Sequence, residues 1–308
     1  MNLTQQQLAY IAGFLEGDGS FQIMRYNSKQ SGHVYEYRIS AYNTKEEVIK
    51  WFSDTIGGYY SHVKSSPRWK KPFHWNLKNQ EAIQLAEAIH PYLISKKEEV
   101  SIWLEYARDV IPNRTNKRTQ ETIDLRMSLI EKIRDLRTNK NRVIKEDVIS
   151  YCSIHNNYYP TQIEIAFLAG LVDAEGCFRL HRLIKKNRPN PTYASVLEIG
   201  NTNTLFFPWL MQKFGGNITF IKSKESNKKD HAVWYVMASQ LRLFIHDLVK
   251  YLIIKKPVCN QIIEFETTTL PNGGDRHSQK FKDSYKEVLV KRDIIFAQIQ
   301  SLNAKGHH

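Results

Sequence analysis

Residues 11–21 read Ile-Ala-Gly-Phe-Leu-Glu-Gly-Asp-Gly-Ser-Phe, and residues 168–178 read Leu-Ala-Gly-Leu-Val-Asp-Ala-Glu-Gly-Cys-Phe, so nearly the same stretch occurs twice in the chain. Each copy has apolar and small residues at helical spacing and then an acid followed by glycine. Thr4 and Thr161 precede the two helices, each with Gln or Glu three residues later, which is the pattern of a capping box. We therefore expect each half to begin with a helix that runs into a strand.

The last acid of each copy, Asp18 or Glu175, is predicted to lie at a helix C-terminus. Unpaired carbonyl groups already make that end negative, so a carboxylate there requires a compensating cation. Gly19 and Gly176 then fit the left-handed position that commonly ends a helix. If the helices pack side by side, small residues would let their backbones approach and bring the two carboxylates together: Gly13, Gly17, Gly170 and Ala174. Two hard oxygen ligands at one point predict a Mg²⁺ site.

The similarity between the halves continues beyond these stretches. The two acids are 175 − 18 = 157 residues apart, and further matches follow at nearly the same spacing: Asn43-Thr44-Lys45 with Asn201-Thr202-Asn203, Trp75 with Trp234, and Lys96 with Lys255. Alternating residues predict strands at 35–42 and 195–199. Helical periodicity predicts helices at 45–55, 80–90 and 97–110, with counterparts at 204–213, 240–250 and 257–266. This pattern indicates duplication of a whole domain rather than a short repeat.

The region between the halves gives the expected domain boundaries. Apolar residues at helical spacing in 120–137 predict a helix that ends the first domain, and 284–299 has the same pattern near the end of the second. Residues 139–160 have weak periodicity. We therefore expect a first domain at 1–138, a linker at 139–160 and a second domain at 161–304.

Composition narrows the class of protein. The 308 residues carry 44 Lys and Arg against 31 Asp and Glu, a net charge of +13 that favours a polyanionic partner but is also common in other basic proteins. Cys152, Cys177 and Cys259 lack the spacing of a zinc site, and their odd number argues against a disulfide framework. We expect no membrane span, because no long apolar run is present, and the N-terminus lacks the layout of a signal peptide.

The repeated stretches resemble the motif of the LAGLIDADG homing endonucleases, in the single-chain form with two motif copies. The resemblance implies an α+β fold in which two pseudo-symmetric αββαββα domains pack through their motif helices and antiparallel sheets form a DNA-binding saddle. It assigns the metal-binding acid to Asp18 and Glu175, with Gly17 and Ala174 just before them as further metal-site positions. Glu175 departs from the usual Asp and has a longer reach. The implied cofactor is Mg²⁺, for which Mn²⁺ or Ca²⁺ can substitute in binding.

The same resemblance implies a function: a monomeric, site-specific endonuclease without an obligate protein partner that cuts double-stranded DNA at a long asymmetric target. Cleavage leaving 3′ overhangs, an origin in a mobile intron and an organellar location, in a chloroplast or mitochondrion, are implied in the same way. An alternative is an intron RNA maturase or a non-cleaving nucleic-acid-binding protein of the same fold. Proteins of this alternative kind have usually lost a motif acid, whereas both acids are present here. A structural basic protein would leave the paired acids unexplained.

Other candidate residues come from matched positions, strand faces and loops. By resemblance Lys96 and Lys255 lie beside the active centre, although lysine pairs are also common on solvated surfaces, and Lys45 and Asn203 occupy the other polar catalytic position. Mixed polar and basic strand faces suit the major groove, and exposed basic loops suit phosphates, although solvated faces and loops have the same composition. The strand candidates are Gln22, Met24, Tyr26, Glu36, Arg38, Ser40, Tyr42, Arg179 and His181. The loop candidates are Arg68, Lys70, Lys185, Arg188, Lys222, Lys224 and Lys229.

Overall fold

The protein is described by a computed structural model that covers residues 2–28, 32–62, 72–109, 120–139, 159–186, 190–223, 229–271 and 278–304. The first half contains, in chain order, α1 (Gln5–Asp18), β1 (Gly19–Ser28), β2 (Gly32–Asn43), α2 (Glu46–Ile56), β3 (Tyr59–His62), β4 (Phe73–Lys78), α3 (Asn79–Ile89), α4 (Lys97–Asp109) and α5 (Gln120–Asn139). Its strands form an antiparallel sheet in the order β1-β2-β4-β3.

The second half repeats this order. It contains α6 (Gln162–Glu175), β5 (Gly176–Leu183), β6 (Thr192–Asn201), α7 (Phe207–Phe214), β7 (Asn217–Ile221), β8 (His231–Met237), α8 (Ala238–Leu241), α9 (Ile245–Tyr251), α10 (Lys256–Thr267) and α11 (Gln279–Ala304). The strand order, β5-β6-β8-β7, matches that of the first sheet. The predicted α+β fold of two similar halves with antiparallel sheets is therefore confirmed.

Capping fixes the start of both motif helices, as predicted. Thr4 accepts a hydrogen bond from the backbone of Gln7, whose side chain accepts one in return, and Thr161 and Glu164 make the same pair of bonds. The backbone angles of the two threonines are identical, φ −70° and ψ 160°. The two halves therefore begin with the same local structure.

The two halves also bury matching tryptophans between helix and sheet. Trp75 and Trp234 are fully buried, and each indole N–H donates to a glycine carbonyl, Gly57 at 2.7 Å and Gly215 at 2.8 Å. Those glycines lie in turns with positive φ after α2 and α7, where only glycine adopts the conformation without strain. The match between Trp75 and Trp234 thus reflects a shared packing unit.

Two details of the sequence prediction are wrong. Residues 240–250 form two short helices, α8 and α9, because the amides of Leu243 and Phe244 bond to carbonyls three residues back and tighten the turn. The apolar face of that stretch is nevertheless buried as the periodicity predicted. Gly19 and Gly176 have φ −90° and −79°, so they are extended rather than left-handed. Lack of space requires glycine there, since a Cβ at Gly19 would lie 2.5 Å from the Leu15 oxygen.

The motif helices α1 and α6 pack against each other and join the halves in one core. All the residues from Ala9 to Glu16 are buried on α1, and the same holds from Ile165 to Asp173 on α6. Almost all of the predicted linker, 140–158, lies outside the described residues, so the domain boundaries stay a prediction. Within the described ranges every helix is too short or too polar to span a bilayer.

Candidate active site

The motif helices approach closely because they have small residues where they meet. A Cβ added at Gly13 would lie 2.0 Å from the Phe167 carbonyl oxygen, and one added at Gly170 would lie 2.0 Å from the Tyr10 carbonyl oxygen. At the C-terminal ends, a Cβ at Gly17 would lie 2.7 Å from Cγ of Glu175. The backbones therefore touch through both glycines, and the ends that carry the motif acids meet.

Asp18 and Glu175 share this meeting point as a pair of partly buried carboxylates. Burial raises the pKa of Asp18 above its ordinary value, although a hydrogen bond from Asn43 and the charges of Lys255 and Lys96 pull it down. Burial also raises the pKa of Glu175, and the nearby negative charge of Asp18 raises it further. Two carboxylates that repel each other at helix C-termini favour a site for a cation.

Two asparagines orient these acids, one in each half. Asn43 Nδ2 donates to Asp18 Oδ2 at 2.8 Å, and Asn201 Nδ2 donates to Glu175 Oε1 at 3.2 Å. Each asparagine ends a strand, and its Oδ1 accepts from the backbone two residues later, at Lys45 or Asn203. Because Oδ1 is used in that turn, the amide nitrogen must face the carboxylate.

The lysines predicted beside the active centre bind the ends of the motif helices. Lys96 Nζ donates to the carbonyl oxygens of Leu15 at 2.7 Å and Gly19 at 2.6 Å, and Lys255 Nζ donates to the Val172 oxygen at 2.6 Å. A cation at a helix C-terminus offsets the partial negative charge there. Burial lowers the pKa of Lys255, although the nearby acids, Asp173 first, raise it. Both lysines act on the charge of Asp18 and Glu175.

The other repeated acids, Glu16 and Asp173, hold the loops that carry these lysines. Glu16 is buried and accepts from the backbone amides of Ile94, at 2.6 Å, and Lys96. Asp173 is buried and accepts from the backbone amides of Ile253, at 2.7 Å, and Lys255, at 2.9 Å. Glu16 and Asp173 are therefore structural residues that fix the position of Lys96 and Lys255.

Lys45 and Asn203, the third predicted catalytic pair, lie at matching places but have different contacts. Lys45 precedes α2 and is partly exposed. Asn203 Nδ2 donates to the hydroxyl of Ser95 at 3.0 Å, across the interface between the halves. The two positions are therefore chemically asymmetric, as their residue types predicted.

The residues at the helix ends fit a divalent metal ion of the Mg²⁺ or Ca²⁺ type. Their donor set consists of carboxylate oxygens and of carbonyl oxygens in the last helical turn, where Gly17 and Ala174 have no intrahelical partner. Asn43 and Asn201 each occupy one oxygen of a carboxylate and leave the other available. Among the described residues no group of three or more His, Cys, Asp and Glu side chains is placed to hold an ion. Water or a phosphate would have to complete the coordination shell.

The predicted DNA-facing residues of the first sheet lie on one face, since Gln22 pairs with Arg38 and Met24 pairs with Glu36. Arg38 and Lys78 both form ion pairs with Glu36, at 2.5 and 3.1 Å. Two tyrosines project from this face, with 42% of Tyr26 and 44% of Tyr42 exposed.

Ser40 is an exception on this face, and its prediction is corrected. It is fully buried, because it is a short side chain on a strand flanked on both sides by β1 and β4. Ser40 cannot contact a ligand unless its neighbours move.

The second sheet presents a concave surface that begins at the motif acid. Its volume is about 760 Å³, and Glu175, Arg179, Glu198, Lys229 and His231 are among its lining residues. Arg179 forms an ion pair with Glu198 at 2.9 Å, and His181 lies 3.8 Å from the other oxygen of Glu198. The acid at the helix end is therefore continuous with a polar, partly basic depression.

The predicted phosphate-binding loops are described only in part. Lys185, Lys222 and Lys229 are exposed. Four candidates lie outside the described residues: Arg68, Lys70, Arg188 and Lys224. Their roles stay predictions.

Sequence reasoning missed several residues that belong to the site. Asn43 and Asn201 were visible as a repeated asparagine 25 or 26 residues after each motif acid (43 − 18 and 201 − 175), which is a signal equal to that of the lysines. Lys78 and Glu198 gave no comparable signal, because Lys78 matches Met237 and Glu198 matches Ser40 in the opposite half. Only the strand register brings Lys78 and Glu198 to the candidate faces.

Solved structures match nearly the whole chain. I-SmaMI bound to an uncleaved DNA target in the presence of calcium ions is 16% identical, covers 96% of this chain and 98% of its own, and has a TM-score of 0.64. The I-SmaMI LAGLIDADG homing endonuclease bound to cleaved DNA is also 16% identical, with 96% of each chain covered and a TM-score of 0.62. The I-LtrWI LAGLIDADG homing endonuclease bound to target DNA is 13% identical, with 93% and 97% covered and a TM-score of 0.58.

No protein-family model and no curated protein sequence matches the chain. The structural likeness nevertheless extends over both halves, and it agrees with the repeated motif helices, the two four-stranded sheets and the meeting of the two acids. The chain therefore has the fold of the two-domain, single-chain LAGLIDADG homing endonucleases.

Proposed function

We propose that the protein is a site-specific endonuclease that cuts double-stranded DNA with divalent metal ions, Mg²⁺ in the cell. The observation that carries this proposal is the meeting of Asp18 and Glu175 at adjoining helix ends, each held by an asparagine and flanked by a lysine. The three solved structures described above are bound to DNA, one of them in the presence of calcium ions, which supports the same substrate and class of cofactor.

Each residue of the site has a defined task in this proposal. Asp18 and Glu175, with the carbonyl groups of Gly17 and Ala174, hold divalent ions, which when bound polarise the scissile phosphate and lower the pKa of water. Asn43 and Asn201 fix the orientation of the carboxylates. Lys96 and Lys255 place positive charge where negative charge develops on the phosphate during attack. Lys45 orders solvent at the edge of the site, whereas Asn203, at the matching position, binds the Ser95 hydroxyl of the other half.

Recognition of a long target is assigned to the two sheets. The ribbon of Gln22, Arg38 and Tyr26 in the first half and the ribbon of Arg179 and His181 in the second offer donors that can read base edges in the major groove. Because the two ribbons differ, the two half-sites are expected to differ in sequence. The net charge of +13 supports binding to the phosphate backbone. Cleavage with 3′ overhangs, intron origin and organellar location stay predictions from the resemblance.

Selection of cleaved sites from a randomised double-stranded DNA library tests the proposal. Wild-type protein with Mg²⁺ should enrich a long asymmetric sequence, whereas protein with EDTA should enrich none. Asp18→Asn and Glu175→Gln should abolish double-strand cutting, whereas the exposed matched controls Asp54→Asn and Glu105→Gln should cut normally. Binding of double-stranded DNA by the wild type with no cleaved site recovered in Mg²⁺ would contradict the proposal and favour a non-cleaving binding protein. Full cutting by Asp18→Asn/Glu175→Gln would remove the two acids from the mechanism.

A further inference from the structure

Two side-chain hydrogen bonds cross the interface between the halves close to the candidate active site. The hydroxyl of Tyr10, on α1, donates to Asp173 Oδ2, on α6, at 2.8 Å. In the opposite direction, Asn203 Nδ2 of the second half donates to Ser95 Oγ of the first half at 3.0 Å. Tyr10, Asp173 and Ser95 are buried, so these bonds are shielded from competing water.

One cross-half bond ends on a loop that carries a lysine of the site, and the other ends on a helical acid that binds such a loop. Asp173, the acceptor of Tyr10, also accepts from the backbone amides of Ile253 and Lys255. Ser95, the acceptor of Asn203, lies next to Lys96 and donates its own proton to Glu16, which in turn accepts from the Lys96 amide. We call residues 94–96 and 253–255 the lysine loops. The 94–96 loop is therefore bonded directly to the opposite half, and the 253–255 loop is linked to it through Asp173.

The two cross-half bonds are not copies of one ancestral bond. The position equivalent to Tyr10 in the second half is Phe167 (167 − 10 = 157), which has no hydroxyl to donate. The position equivalent to Ser95 is Ile254, and Asn203 corresponds to Lys45. The chain thus makes the same kind of connection in the two directions with unrelated side chains, which duplication alone does not explain.

We propose that Tyr10, Ser95 and Asn203 are positioning residues through which each half of the protein holds the lysine loop of the other half, so that the two strands are cut together. This inference rests on the proposed function. The two halves are related by approximate two-fold symmetry, as are the two strands of a DNA duplex. Each lysine is therefore expected to serve one strand. Loss of one cross-half bond should slow the strand served by the lysine that the bond supports.

Strand-resolved single-turnover cleavage of a doubly end-labelled target tests this. Lys96→Met and Lys255→Met identify the strand that each lysine serves. Tyr10→Phe should slow cleavage of the DNA strand that Lys255 serves, here called the Lys255 strand, about five- to tenfold, which is the effect of one lost hydrogen bond. Cleavage of the DNA strand that Lys96 serves, the Lys96 strand, should be nearly unchanged. Ser95→Ala and Asn203→Ala should both slow the Lys96 strand. Tyr60→Phe is the matched control, since it removes a tyrosine bond to the carboxylate of Glu46 away from the interface.

The Asn203→Ala result is the most discriminating, because Asn203 belongs to the second half but its loss should slow the strand of the first-half lysine. A direct role of Asn203 at its own centre would slow the Lys255 strand instead and would overturn the proposal. Equal slowing of both strands by Tyr10→Phe, or by the two lysine variants, would also overturn it.

A readout independent of cleavage accompanies this assay. The backbone amides of Ile253 and Lys255 should exchange with solvent deuterium faster in Tyr10→Phe than in wild type or Tyr60→Phe, and unchanged exchange would contradict the proposal. If the wild type cuts no DNA, the proposed function fails. If the wild type cuts and Tyr10→Phe has normal strand rates, only the present inference fails.

Discussion

Replacement of Gly170 by alanine should force the two motif helices apart. The added Cβ would lie 2.0 Å from the Tyr10 carbonyl oxygen and 2.7 Å from the Phe14 backbone nitrogen. Ordinary contact begins near 3.4 Å, so the shortfall is 3.4 − 2.0 = 1.4 Å. The obstructing atoms belong to helix backbone, which cannot rotate aside as the end of a flexible side chain can. One helix must therefore move by about an ångström.

The expected cost follows from that displacement. Overpacking of a close-packed interior typically costs 1–3 kcal/mol, and a clash with the backbone of the facing helix belongs at the upper end, about 3 kcal/mol. For a domain of this size such a loss lowers the melting temperature by roughly 6–12 °C. Because the same displacement separates the helix ends, Asp18 and Glu175 should also lose their spacing. DNA cutting should fall more steeply than stability.

Thermal melting and Mg²⁺-dependent cutting of a selected target measure the two effects. Gly200→Ala is the matched control, because a Cβ there would meet its nearest neighbour, Val233 Cγ2, at an ordinary 3.7 Å. The control should melt within about 2 °C of the wild type, as expected for an accommodated Gly to Ala change. Unchanged melting and cutting in Gly170→Ala would refute the argument that contact between these helices sets the geometry of the site.

Further substitutions test the individual contacts of the site. Asn43→Asp keeps the oxygen that accepts from the Lys45 amide but replaces the donor to Asp18 by a carboxylate oxygen. The rate of DNA cutting should therefore fall at least tenfold at fixed Mg²⁺, while the melting temperature changes by only about 2 °C. A normal cutting rate would contradict the orienting role of Asn43. Glu16→Gln weakens the buried bonds to the loop of Lys96 and should cost about 2–3 kcal/mol in urea unfolding, which a loss under 0.5 kcal/mol would contradict. Burial raises the pKa of Asp18 and Glu175, so ionisation of these acids destabilises the folded protein. Without divalent metal, Asp18→Asn/Glu175→Gln should therefore melt higher than the wild type at pH 8. This advantage should shrink as the pH falls to about 4, close to the unfolded-state pKa values, where the acids become protonated in the folded protein and partly protonated in the unfolded chain. Added Mg²⁺ should raise the melting temperature of the wild type and not of that double variant, and an equal rise in both would place the ion elsewhere.

The repeated sequence predicts much of the fold because its signals are local or paired. The capping threonines, the small residues on both motif helices and the matching tryptophans each have a mechanical reason that one sequence displays twice. The break between α8 and α9 was not predictable in this way, because the apolar spacing from Leu241 to Leu248 is the same for one continuous helix and for two with a tight turn between them. Likewise, the sequence shows glycine after each motif acid but not whether a turn or lack of space requires it.

The site was predictable where residues repeat and not where register or long-range contacts decide. Asp18, Glu175 and the two lysines were found because the duplicated halves keep them in place. The burial of Ser40 depends on the strands on both sides of β2, which the sequence of β2 does not reveal. The bond between Asn203 and Ser95 joins residues 203 − 95 = 108 positions apart, so it follows from the packing of the halves and not from any pattern within one of them.

Asp18 and Glu175 are expected to hold divalent ions between them when DNA is bound. Anomalous diffraction at the manganese edge, from a complex with selected DNA and Mn²⁺, measures this most directly. Anomalous peaks are expected within about 2.0–2.3 Å of an oxygen of each carboxylate, in the range of metal–oxygen bonds for small divalent ions. Anomalous peaks found only at other places, with the two carboxylates paired to Lys96 and Lys255 instead, would contradict a metal site between Asp18 and Glu175.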